Sequence, residues 1–109
     1  MWDEIQEAQA DLDLALAKAR ERGQKMVLAE AHYYSVKDRR VRELMDEGVS
    51  ATAIAMMVKG EPEVNEAMRD YHDMQVLYKN ACEAIQVYKR RFDVLREEYD
   101  REWSRAGRE

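Results

Sequence analysis

The stretch "EGVSATAIAMMVKGEPEV", residues 47–64, decides how this chain folds. Gly48 stands where the end of a helix wants a left-handed residue. Ser50 is the natural N-cap of a short apolar helix over residues 51–58. Val49 and Ile54 fall at the two positions of a hydrophobic staple around that cap. Gly60 is expected to end the short helix, and Pro62 to open another as its first residue. Glu61, Glu63 and Glu66 then suit the positive end of the new helix. The stretch reads as a tight reversal between two helices.

Outward from it, apolar residues recur at helical spacing in both directions. Before the turn, a helix over residues 2–47 places Ile5, Leu12, Leu16, Ala19, Met26, Tyr33, Tyr34, Val41, Leu44 and Met45 on one drifting face. Gly23 lies inside it and is expected to mark a kink or a break. After the turn, a helix over residues 62–104 carries a heptad. One position holds Val64, Tyr71, Tyr78, Ile85, Phe92 and Tyr99; the other holds Ala67, Met74, Ala81, Tyr88, Leu95 and finally Glu102.

The two long segments match in length, roughly 65–70 Å each at about 1.5 Å per residue. The predicted fold is all-α: one domain over residues 1–109, a long antiparallel, coiled-coil-like hairpin with a short helix at its tip. Charge favours that orientation. Asp3, Glu4, Glu7, Asp11 and Asp13 would lie beside Arg96, Arg101, Arg105 and Arg108, and Lys37, Arg39, Arg40 and Arg42 beside Glu66, Asp70 and Asp73. A second apolar stripe, Leu77, Ala84, Val87 and Val94, exceeds what one partner helix covers. It points to assembly into an oligomeric helical bundle, a dimer being favoured. The competing arrangement is a three-helix monomer folded back at Gly23.

Composition narrows the function classes. Charged residues make up 38% of the chain and hydrophobic ones 46%, a mix suited to long amphipathic helices. A net charge of −5 disfavours general nucleic-acid binding. With one cysteine, Cys82, no intrachain disulfide can form. No apolar run reaches the roughly 20 residues that span a bilayer. The acidic start "MWDEIQEAQADLD" is unlike a signal peptide, so a cytoplasmic location is expected.

The chain offers little catalytic material. His32 and His72 lack the one-turn pairing with carboxylates that a metal site wants. Cys82 reads as a small buried hydrophobe rather than a nucleophile. No Gly-rich phosphate loop or nucleophile elbow occurs. The expectation is a non-enzyme with no cofactor and no metal.

Two surfaces stand out instead. The short helix is apolar on nearly every side, which makes Ile54, Met56, Met57 and Val58 candidates for contact with a partner protein not yet identified. Two basic runs, Lys37, Arg39, Arg40 and Arg42, and Lys89, Arg90 and Arg91, are the nucleic-acid alternative, less favoured than a solvated charged face. A third possibility is an oligomer that sequesters a ligand between subunits.

Leu44, Glu47, Gly48, Ser50, Ile54, Ala55 and Val58 resemble the first half of a resolvase- or transposase-type helix-turn-helix. The segment that would then read bases, "EPEVNEAMRDYHD", holds five acids and one arginine and is ill suited to a DNA groove. A longer resemblance runs from Arg22 to Trp103. It is carried by "RG" at 22–23, "LAEA" at 28–31, "LMDEGVSATAI" at 44–54, "KGEPEV" at 59–64, "LYKNACEAI" at 77–85 and "REW" at 101–103. These resemble a family of small helical proteins of bacteriophages and prophages of Gram-positive bacteria. That family often has Pro at the place of Ser50 or Ala51, and Ala-Arg-Gly at the place of Val58, Lys59 and Gly60. The resemblance implies a protein of a bacterial host cell, accessory to phage replication or recombination, and supplies no catalytic residues.

Overall fold

A computed structural model describes residues 1–108; the Arg108 side chain, expected beside the N-terminal acids, lies outside the described part. The chain is an all-α helical hairpin of three helices: α1 (Trp2–Asp46), α2 (Ala51–Gly60) and α3 (Pro62–Arg108). Packing divides it into two compact units. One is Met1–Glu21 with the chain from Lys79 on; the other is Arg22–Tyr78.

In the first unit α1 and α3 run antiparallel. The Trp2 ring meets Tyr99 with centroids 5.5 Å apart, and Arg91 bonds Asp11 at 3.0 Å. The seam pairs small residues with large ones. α1 buries Ile5, Ala8, Ala15 and Ala19, while α3 lays Ile85, Phe92, Leu95 and Tyr99 against them, half-buried, around a buried Ala81. Ala8 and Ala15 are absent from the stripe read off the sequence, and Leu16, placed on it, is 47% exposed. Adjacent helical residues point about 100° apart, so burying Ala15 turns Leu16 outward. The expected ion pairs shift for the same reason of register. Arg91 meets Asp11, and no ion pair of Arg96 is found among the described residues. Because Trp2 already faces Tyr99, Arg101 and Arg105 lie beyond the start of α1.

The second unit holds all three helices. Val36 and Leu44 of α1, Ile54 and Val58 of α2, and Val64 and Ala67 of α3 form its core, with Tyr33, Val41 and Val49 packed on it. Leu44 at the centre has no accessible surface. Burying a side chain of this size contributes about 1.5–3 kcal/mol. Tyr34 and Met45, expected on the packed face, are exposed, each being the outward neighbour of a packed residue. α1 passes unbroken through Gly23, so the chain does not break into two helices and fold back there. A Cβ at Gly23 would stand 3.0 Å from Cε2 of Tyr78. The glycine is there for close approach: it lets the Tyr78 ring lie on the α1 backbone.

The turn chemistry is legible bond by bond. Gly48 adopts φ +81°, its N–H donates to the Met45 carbonyl at 3.0 Å, and the Val49 N–H donates to Leu44 at 3.1 Å. That is a Schellman closure, with Val49 packed back on the core that contains Leu44. Ser50 then caps α2, its hydroxyl accepting from the Ala53 N–H at 3.3 Å. α2 runs two residues further than expected, to Gly60, because Pro62 rather than Gly60 stops it. A residue before proline is driven out of the helical region, and Glu61 sits at φ −70°, ψ 123°. Glu61 thus ends α2, donating to Val58 at 3.2 Å, and opens α3, accepting from Asn65 at 3.0 Å. α3 continues past residue 104 to Arg108.

Candidate functional site

The short helix divides its apolar residues between two jobs. Ile54 and Val58 fall four apart and face inward into the core. Met56 and Met57 point away from it, 74% and 44% exposed. Of the four proposed contact residues, two are therefore structural, and two are offered to solvent.

A groove of about 520 Å³ runs between the last turns of α1 and the length of α2, and neither Met56 nor Met57 lines it. Val41, Ile54 and Val58 form its base; Met45, Val49, Ala51 and Ala55 complete its apolar wall. Lys37 and Lys59 are its charged lining residues, and no carboxylate lines it. Lys37, Val41 and Met45 are four apart, so one face of α1 supplies that side. The sequence reading missed the groove, because Val41 and Met45 were read as core and its other side belongs to a different helix.

The arginines behind the groove hold the turn together. Arg40 Nε donates to Glu61 Oε1 at 2.9 Å, and its Nη1 to Glu43 Oε2 at 3.1 Å. The hydrogen bonds that Arg40 donates to Glu61 and then to Glu43 raise its pKa above the ordinary value. Arg39 pairs with Glu63 and, at 3.7 Å, with Glu43. The expected partners were Glu66, Asp70 and Asp73; the observed ones lie nearer the turn, since the single residue between α2 and α3 starts α3 close to residue 40. Exposed pairs of this kind contribute about 0–1 kcal/mol each, so their main effect is on geometry.

The second basic run is divided too. Arg91 is tied to Asp11, whereas no ion pair of Lys89 or Arg90 is found among the described residues. His72 lies against the Tyr71 ring at 5.8 Å between centroids, and Cys82 is a half-buried free thiol. Among the described residues no three His, Cys, Asp or Glu side chains form a group able to hold a metal ion. No helix among them is long and apolar enough to cross a membrane.

An aromatic cluster sits further along the second unit. Tyr33 stacks on Tyr71 at 6.1 Å, and Tyr34 meets Tyr33 at 5.2 Å. Burial raises the Tyr71 phenol pKa above its usual range, and the charge of Glu30 and then Tyr34 add to the effect. The cluster joins α1 to α3 below the groove. Compared with known proteins, the chain matches no family model, no curated protein and no solved structure.

Proposed function

We propose that this chain is a non-enzymatic protein-contact module that acts by self-association and through the surface of α2. The observation that carries the reading is the pair Met56 and Met57, exposed on a helix capped at both ends. Methionine side chains adapt to irregular partner surfaces, and a firmly capped helix presents them without loss of order. Self-association is supported by unpartnered apolar residues elsewhere. In the first unit Leu14 is 70% and Val87 68% exposed, and Val94 stands on the same flank of α3 as Val87. The phage origin and the accessory role in replication or recombination, in the cytoplasm of a bacterial host, rest on the sequence resemblance alone.

Two measurements test the reading. Light scattering over a wide concentration range is expected to give a mass above the monomer's 12.9 kDa; a clean monomer at high concentration removes self-association. A quantitative pull-down from host lysate is expected to lose its partner when Met56 and Met57 become Glu; unchanged recovery removes the α2 surface. The nucleic-acid alternative is weakened by Arg39, Arg40 and Arg91 being held by carboxylates. Salt-titrated binding to single- and double-stranded DNA decides it, and absence of binding at low salt ends it.

A further inference from the structure

The groove between α1 and α2 is polarised, and that polarity names an occupant. Arg40 holds Glu61, so the C-terminal end of α2 lies beside the residue 37–41 turn of α1. Lys37 and Lys59 therefore share one end of the groove, and the Val49–Ala51 connection closes the other. The neighbouring cations Arg39 and Arg40 are already paired with Glu43, Glu61 and Glu63. No ion pair of Lys37 or Lys59 is found among the described residues; Lys37 lies 5.9 Å from the centroid of the Tyr33 ring. The result is an apolar trough with two uncompensated positive charges at one end, on a chain whose net charge is −5.

From this we infer that the groove receives an amphipathic helix of a partner protein, with the carboxylates of its first turn at Lys37 and Lys59. The inference rests on reading this end of the molecule as a contact surface. Size agrees: ten residues of α2 span about 15 Å, room for three apolar anchors spaced i, i+4 and i+7. Direction follows from charge. Acidic residues favour the first turn of a helix, and their full charges outweigh the partial positive charge of that helix end, so the partner helix is set N-terminus first at the lysines. Its apolar ridge then runs past Val41 and Ile54 toward Val49.

The test uses the full chain and a designed, N-acetylated helical peptide of 16 residues, about 24 Å long. Its first turn is Asp and Glu, followed by leucines at i, i+4 and i+7. Calorimetric titration is expected to show saturable binding that weakens with salt. Lys37→Glu with Lys59→Glu is expected to weaken it at least about tenfold, and the milder Lys37→Gln with Lys59→Gln in the same direction, with helicity checked by circular dichroism. A second peptide, with Lys in its first turn, is expected to bind the wild type less well and the charge-reversed variant better. Equal binding of the two peptides overturns the inference, as does lysine-dependent binding of dodecanoate with none of the peptide. So does a wild-type dimer that Met45→Glu dissociates and that excludes the peptide, which would place a second copy in the groove. If neither peptide binds while Met56→Glu with Met57→Glu still abolishes partner recovery, the groove assignment falls and the α2 contact surface stands.

Discussion

Gly48 is the residue at which the chain turns, and its backbone shows why glycine is there. At φ +81° any other L-residue is strained, by about 1–2 kcal/mol. Gly48→Ala is therefore expected to lower unfolding free energy by that amount in a urea melt, although no atom lies within 4 Å of the added methyl. Gly23 has the opposite character. Its backbone is ordinary helix, and alanine there would gain about 1 kcal/mol in propensity. The Tyr78 ring at 3.0 Å opposes that gain, since overpacking costs about 1–3 kcal/mol. Gly23→Ala is expected to destabilise the wild type but to stabilise a Tyr78→Leu background; the sign change is the measurement. Tyr71 provides a pH dependence. Its phenol pKa is raised on folding, so its contribution is complete below the ordinary phenol range, near pH 10. The contribution is lost as pH rises through the higher folded value. Tyr71→Phe is expected to flatten that alkaline loss in stability curves measured from pH 9 to about pH 12.

At the scale of elements, α2 is held by its neighbours more than by its own ten residues, because a helix so short is marginal alone. Leu44 supplies the surface on which Ile54 and Val58 sit. Leu44→Ala is expected to cost about 2–5 kcal/mol by cavity formation, and hydrogen exchange should show α2 losing protection first. This element also marks how far the sequence could be read. Gly48, Ser50 and Pro62 announced the turn because capping is local chemistry, settled within four or five residues. The register of α1 against α3 was not legible, since Ala8, Ala15 and Gly23 set it by letting the helices approach. Small residues carry little hydrophobic signal, so the larger Leu16, Tyr34 and Met45 took their place in the reading. Half of the candidate site was visible for a related reason. An apolar helix announces that it has two faces to cover, but which methionine faces out depends on how α2 sits on Leu44.

For the molecule as a whole, a net charge of −5 and an isoelectric point near 5.2 set against exposed leucines, valines and tryptophans make association sensitive to pH. Lowering the pH from 7 toward 5.2 removes the mutual repulsion. The apparent mass by static light scattering is expected to rise over that interval and to fall again when charge is restored. The one-residue junction at Glu61 has a consequence in time. Arg40 and Glu61 are 21 residues apart, whereas Asp11 and Arg91 are 80 apart. Closing a longer loop carries a larger entropic cost. On a ribosome the short-range contacts become possible once Val64 has emerged, while Arg91, which must clasp Asp11, has yet to emerge. The hairpin is thus sewn from its bend toward its ends, and the two ends of the chain are the last to find each other and the first to part.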